Sequence, residues 1–133
     1  EYFDDTNNYI DLMKTLVQLS VMTAEIEPGH FDANYQVAYH YFSTGNLIKS
    51  LSQSEEHKLL SVEYKKKGFQ AAKDLVKRFP NEAKAYHQRA FFAYHVEGDK
   101  KKALELYKHC LELDPKMELC QKHYDVVLEE LNE

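Results

Sequence analysis

The sequence predicts an all-α protein made of antiparallel helical hairpins, and three observations support this fold class. Apolar residues recur at intervals of three and four along most of the chain, which is the spacing of one face of an α-helix. Three prolines and four glycines in 133 residues are too few for the many turns of an all-β chain. No segment shows the strict alternation of apolar and polar residues that is typical of a half-buried strand.

Three helices are expected in the first part of the chain. The first covers 5–26 and ends at a Pro-Gly pair, which breaks helices. The second follows directly and stops near Gly45, which is interpreted as a turn glycine. The third begins where Ser52 and Glu55 resemble a capping box, and it continues for about 25 residues to Pro80.

Three further helices are expected in the second part. The fourth covers about 82–97 and is preceded by Asn81, a residue that favours the N-cap position. Gly98 and its neighbour Asp turn the chain into a fifth helix, which ends before Pro115. The sixth covers about 117–131, and polar residues on its outer face suit a helix that closes an array.

Two of these hairpins align with each other. The segment "NYQVAYHYFSTGN" matches "HQRAFFAYHVEGD", which places Gly45 on Gly98 and Tyr41 on Tyr94. The first unit has 35 residues from its glycine to its proline, whereas the second has 17. The difference predicts an insertion near 47–65 that lengthens the first hairpin.

The better-matched unit resembles the tetratricopeptide repeat (TPR), a helical hairpin of about 34 residues. Its aromatic, glycine, small and proline positions hold Tyr94, Gly98, Ala103, Tyr107, Cys110 and Pro115, and Ala90 stands where the repeat usually has Leu. Phe91 departs from the repeat because it is large where a small residue is usual, and His87 stands where Trp is common.

The resemblance implies one TPR-like domain over 1–133, with about six helices in a right-handed superhelix. Its parts are an N-terminal helix (5–26), a divergent repeat (31–79) with the insertion near 47–65, a well-matched repeat (82–115) and a capping helix (116–131).

A narrower resemblance covers the junction of the two repeats. Its positions are Gly68, Ala71, Ala72, Lys73, Pro80, Asn81, Ala83, Ala85, Tyr86 and His87. The pattern is similar to that of the TRAP-transporter-associated TPR lipoproteins and of the regulator-of-microtubule-dynamics proteins. These two groups imply different partners.

The resemblance also implies a partner-binding concave face made by the first helix of each hairpin. The exposed positions of this face would be Tyr35, Tyr39, Phe42, Gln88, Phe92 and His95. Aromatic side chains, and tyrosine above all, are favoured at protein interfaces. We therefore expect a non-enzymatic interaction or scaffold module that binds a peptide or protein partner. The alternative is a small-molecule or lipid carrier, or an exported transporter-associated TPR lipoprotein, that uses the same aromatic wall as a pocket.

Two further interpretations concern the ends of this surface. The N-terminal helix could cover the aromatic wall with its own apolar residues, Leu12, Leu16, Leu19 and Met22. The insertion carries leucines that need cover, so they could pack on the N-terminal helix or form a homo-oligomer.

The positions that hold a carboxylate clamp in TPR proteins are not cationic here, which disfavours recognition of acidic C-terminal tails.

The bulk composition narrows the other function classes. A net charge of −5 disfavours a nucleic-acid binder, which usually has a basic face. No apolar run approaches the ~18 residues that a membrane span needs. Motifs for metalloproteases, serine hydrolases and phosphate-binding loops are missing, so no enzyme, cofactor or metal is expected. The compartment stays open: cytoplasmic, or exported if an N-terminal signal was removed before Glu1.

Cys110 and Cys120 allow three interpretations. They lie five residues on either side of Pro115, so adjacent helices could bring them together. They could be buried free thiols, a disulfide in an exported protein, or part of a metal site with His109 and His123.

Overall fold

The structure is a computed structural model that describes residues 2–133, with side chains from residue 5 onward. The described residues form six α-helices and a π-helix, and no strand, which confirms the all-α prediction. The helices are α1 (Tyr2–Ile26), α2 (Phe31–Leu51), α3 (Glu55–Arg78), α4 (Ala83–Phe92), α5 (Lys100–Leu113) and α6 (Glu118–Leu131), and the π-helix (Ala93–Glu97) follows α4 directly. None of these helices combines the length and the apolar character needed to cross a membrane.

The chain divides into two compact units. Unit 1 is Glu1–Ala71 and contains α1, α2 and most of α3. Unit 2 is Ala72–Glu133 and contains the end of α3, α4, the π-helix, α5 and α6. Each unit has its own hydrophobic core.

The core of unit 1 joins α1, α2 and α3. Its buried residues are Ile10, Val17, Ile48 and Tyr64, and Tyr41 packs against them. The rings of Tyr41 and Tyr64 meet edge to face with their centroids 5.3 Å apart, a favoured aromatic geometry. Ile48, which lies in the segment predicted as an insertion, therefore packs in one cluster with Ile10 and Val17 of α1.

Gly45 corrects one prediction. It lies inside α2, which continues to Leu51, so it is not a turn glycine. A Cβ at this position would lie 3.2 Å from the backbone oxygen of Ser61 and 3.4 Å from Cβ of Tyr64. The Ser61 hydroxyl donates a 2.7 Å hydrogen bond to the carbonyl oxygen of Gly45. Glycine at this position therefore suits the close approach of α2 and α3, which a Cβ would crowd.

The start of α3 also differs from the prediction. The helix begins at Glu55, so Ser54 is the cap, and its hydroxyl accepts a 3.2 Å hydrogen bond from the backbone N–H of His57. Ser52 instead pairs with the imidazole Nδ1 of His57 at 2.6 Å. At α4 the N-cap is Glu82, without a side-chain hydrogen bond, and not the expected Asn81.

The core of unit 2 is built from small and sulfur-containing side chains around one tyrosine. Its buried members are Ala90, Ala93, Ala103, Tyr107, Cys110, Cys120 and Val127. The alanines allow α4 and α5 to approach closely, as the small positions of a TPR hairpin would. A disulfide joins Cys110 in α5 to Cys120 in α6 and ties the last two helices together.

A buried ion pair accompanies the π-helix. Arg89 in α4 donates from Nη1 to Oε1 of Glu97 at 2.8 Å, and its side chain is only 6% exposed. Lys102 at the start of α5 lies 3.8 Å from the other oxygen of Glu97. Glu97 is the last residue of the π-helix, so these contacts tie the end of the π-helix to α4 and to α5.

Gly98 turns the chain after Glu97 as predicted, and its replacement should destabilise the chain. Its φ of +70° is a left-handed conformation, and a Cβ there would meet no atom within 4 Å. The cost of Gly98→Ala is therefore conformational, about 1 kcal/mol in the free energy of urea unfolding. Gly29→Ala is the control, since Gly29 also has open space but no positive φ. Equal stabilities of the two variants would contradict this account.

Candidate partner-binding surfaces

The six predicted site residues fall into two groups. Tyr35, Tyr39 and Phe42 lie on α2 in unit 1, whereas Gln88, Phe92 and His95 lie on α4 and the π-helix in unit 2.

The aromatic face of α2, formed by Tyr35, Tyr39 and Phe42, is partly open to solvent. Tyr39 is 55% exposed, and the other two side chains are half-buried. Burial raises the pKa of Tyr35, and the neighbouring Tyr39 raises it further. The ammonium of Lys65 lies over the Phe42 ring, 5.9 Å from its centroid, so a cation borders the face.

The N-terminal helix does not cover this face with the side chains proposed for that role. Leu12, Leu16, Leu19 and Met22 remain between 47% and 52% exposed. The helix packs through Ile10 and Val17, and its Ser20 hydroxyl meets Nδ1 of His40 at 2.9 Å. His40 lies one residue beyond Tyr39, so α1 packs on a different side of α2.

A groove of about 480 Å³ runs between α1 and α2. From α1 it is lined by Met13, Leu16, Val17, Leu19, Ser20 and Thr23, and from α2 by Ala33, Gln36, His40, Ser43, Thr44 and Leu47. The aromatic face contributes nothing to this lining. Unit 1 therefore has two neighbouring surfaces, one aromatic and one aliphatic.

In unit 2 the expected exposure of Gln88 and Phe92 is wrong. The exposed fraction is 5% for Gln88 and 1% for Phe92. The four consecutive residues 87–90 are all buried, which is more than one helical turn, so α4 has no open side there. Phe92 is also in edge-to-face contact with Phe91, whose ring is only half-buried. The more accessible of the two phenylalanines is therefore Phe91, and the expected open position, Phe92, belongs to the core.

His95 is exposed as expected, and it borders a pocket of about 210 Å³. The lining residues are Tyr94, His95, Tyr107, His123, Val126 and Val127. The π-helix supplies the first two, and π-helices are frequent at functional sites. The Tyr94 hydroxyl donates to the Glu130 carboxylate at 2.7 Å, and Lys100 lies 3.1 Å from the same carboxylate.

One lining residue of this pocket, His123, belongs to a pair of imidazoles that was not predicted from the sequence. His87 Nε2 and His123 Nδ1 are 3.0 Å apart, and the rings are stacked. Burial, and then His123, lowers the pKa of His87 to about 4. Burial also lowers the pKa values of His95 and His123, and it raises that of Tyr107. These groups are therefore held in their neutral forms at pH 7.

The local sequence contains one hint of this pair. His87 occupies the position where a TPR usually has Trp, so an unusual packing partner could have been suspected. Its partner lies 36 residues further along the chain, and no spacing rule connects them.

The disulfide decides between the three interpretations of the cysteines. Both thiols are used in the bond, so the expectations of free thiols and of a cysteine metal site are wrong. His109 points elsewhere, with its ring 4.2 Å from that of Tyr86 and its Nδ1 3.4 Å from Glu112. Among the side chains that the structure describes, from residue 5 to residue 133, no three or more His, Cys, Asp or Glu converge in a way that could hold a metal ion.

The fold and these surfaces define a class, an all-α protein of consecutive helical hairpins. No protein-family model matches the chain, and no curated protein matches it. The TPR assignment therefore stays a prediction from the repeat pattern.

Proposed function

We propose that the chain is a non-enzymatic interaction module of the TPR kind, which binds a peptide or protein partner through the aromatic face of α2. The observation that carries the proposal is the exposure of Tyr39 between two half-buried rings, on a side of α2 that α1 does not use. Tyrosine and phenylalanine bury much area at low entropic cost, and tyrosine keeps a hydroxyl for a polar partner.

The charges beside this face indicate what the partner offers. Lys65 lies over Phe42, and burial and the nearby Lys49 lower the pKa of its ammonium. A carboxylate on the partner would relieve the repulsion between the two lysines. The favoured partner is therefore an apolar segment with an acidic residue beside it.

The carrier alternative has weaker support. The groove between α1 and α2 has the volume of a small-molecule site, about 300–1,000 Å³. Its lining is aliphatic and polar, however, and the aromatic wall on which the alternative was based takes no part in it.

A peptide-display selection against the purified chain tests the proposed function. Enriched peptides should combine aromatic or aliphatic residues with an acidic one. Their affinity for Tyr39→Ala should fall about 10-fold, or roughly 1.4 kcal/mol, as expected for a central tyrosine. Leu59→Ala is the matched control, because Leu59 is exposed on α3 outside this face. Peptides that bind wild type and Tyr39→Ala equally well would sink the proposal.

A further inference from the structure

The outer side of α1 carries an apolar ridge that is separate from the aromatic face. We use "α1 ridge" for six large apolar side chains between 44% and 77% exposed: Tyr9, Leu12, Leu16, Leu19, Met22 and Ile26. Soluble monomers rarely expose so many large apolar residues in one continuous stripe. The ridge therefore indicates a surface that is covered in the functional state.

Five of the six ridge residues, all except Met22, follow the spacing of a helix-packing seam. Positions 9, 12, 16, 19, 23 and 26 are separated alternately by three and four residues, which is the a and d pattern of a coiled coil. Thr23 is the one polar member of this series. The pattern favours a second helix as the covering element, crossing at about 20°.

The composition of the helix disfavours a lipid surface. Between Leu12 and Ala24 the single charged residue is Lys14, and the other charges of α1 are acidic. Helices that lie on membranes usually carry several lysines or arginines. The cores of protein interfaces, in contrast, are depleted of charge.

The ridge and the groove complement each other. Leu16 and Leu19 belong to the ridge and also line the groove between α1 and α2. Two copies of such a surface can associate about a two-fold axis, because the ridge of each chain enters the groove of the second chain. The ridge leaves on the order of 600 Å² open per chain, so two copies would bury about 1,200 Å², enough for a specific interface.

We infer that the α1 ridge is a dimer interface, at which the α1–α2 hairpins of two copies form an antiparallel four-helix bundle. The antiparallel arrangement opposes the two helix dipoles. It also places Tyr9 of one copy beside Ile26 of the second copy and brings the two Leu16–Leu19 pairs together at the axis. This interface is distinct from the aromatic face of α2, so the dimer and the proposed function can fail independently.

Sedimentation or light scattering of the whole chain from about 1 to about 100 µM tests the interface. Wild type should have twice the chain mass. Leu16→Asp with Leu19→Asp should raise the dimer dissociation constant at least about 100-fold, because four carboxylates would meet at the axis. Both leucines are about half-exposed, so circular dichroism should show unchanged helix content.

Leu59→Asp is the control, and it also examines an interface through the insertion. Leu59 is 69% exposed on α3 and lies outside the ridge, so this variant should stay dimeric. A monomeric wild type, a dimer that persists in the double variant, or a dimer lost only in Leu59→Asp would each overturn the inference.

Engineered cysteines report the direction of pairing. An equimolar mixture of Tyr9→Cys and Ile26→Cys chains should cross-link under mild oxidation, whereas Tyr9→Cys alone should not. The native cysteines are bonded and fully buried, so they should not interfere. Cross-linking of Tyr9→Cys with itself would contradict the antiparallel arrangement.

Discussion

Reduction of the bond between Cys110 and Cys120 is expected to lower the free energy of unfolding by about 3 kcal/mol. The bond closes a loop with a sequence separation of 10 between α5 and α6, and it restricts the unfolded chain. Both sulfurs lie in the unit 2 core, where they are fully buried. Urea unfolding with and without a phosphine reductant measures the effect on wild type.

A double variant separates the bond from the packing of the sulfurs. Cys110→Ala with Cys120→Ala should be less stable than oxidised wild type, and it should be insensitive to the reductant. Titration of thiols in denaturant without reductant should find none in wild type. Two free thiols, or the same unfolding free energy with and without reductant, would refute the prediction.

Acidification from about pH 7 to about pH 5 should lower the free energy of unfolding by about 2 kcal/mol because of His87. Burial lowers the pKa of His87 to about 4 from its ordinary 6.5, so the unfolded chain binds this proton more readily than the folded chain. The contribution of His87 is complete above about pH 6.5 and is lost as the pH falls toward 4. His123 should add to the loss, since its pKa is also lowered.

The variant His87→Gln isolates this contribution from the carboxylates that also titrate on acidification. Glutamine is neutral at every pH used and can still donate to Nδ1 of His123. Its unfolding free energy should therefore depend less steeply on pH than that of wild type. Parallel pH profiles for wild type and His87→Gln would show that His87 stays solvated.

The helices were predictable because long amphipathic segments have a strong period, and their ends were marked by proline and glycine. Gly45 shows where this reasoning stops. Glycine marks a turn where the backbone needs a positive φ, as at Gly98. It marks a close helix contact where a neighbouring backbone approaches, as at Gly45. Both uses depend on the missing Cβ, so the residue type alone does not separate them.

The candidate surfaces were only partly predictable. Tyr39 and His95 are exposed as expected, but Gln88 and Phe92 are not, because α4 is buried on nearly every side. A hydrophobic period of 3.6 residues identifies a helix with one buried face, and it does not reveal a helix that is buried on all sides. The apolar residues of α1 lie on two sides of the helix. For the same reason, the periodicity did not reveal which of these two sides would be buried against α2.

The π-helix at Ala93–Glu97 has a consequence for comparing this chain with relatives. A π turn holds about one residue more than an α turn, so this segment accommodates an additional residue without disturbing the helices around it. A relative could lack one residue here, continue α4 as an uninterrupted α-helix and keep the same hairpin. The orientation of Tyr94 and His95 would then change. A gap of a single position here in a sequence alignment would therefore distinguish chains that share the pocket from chains that do not.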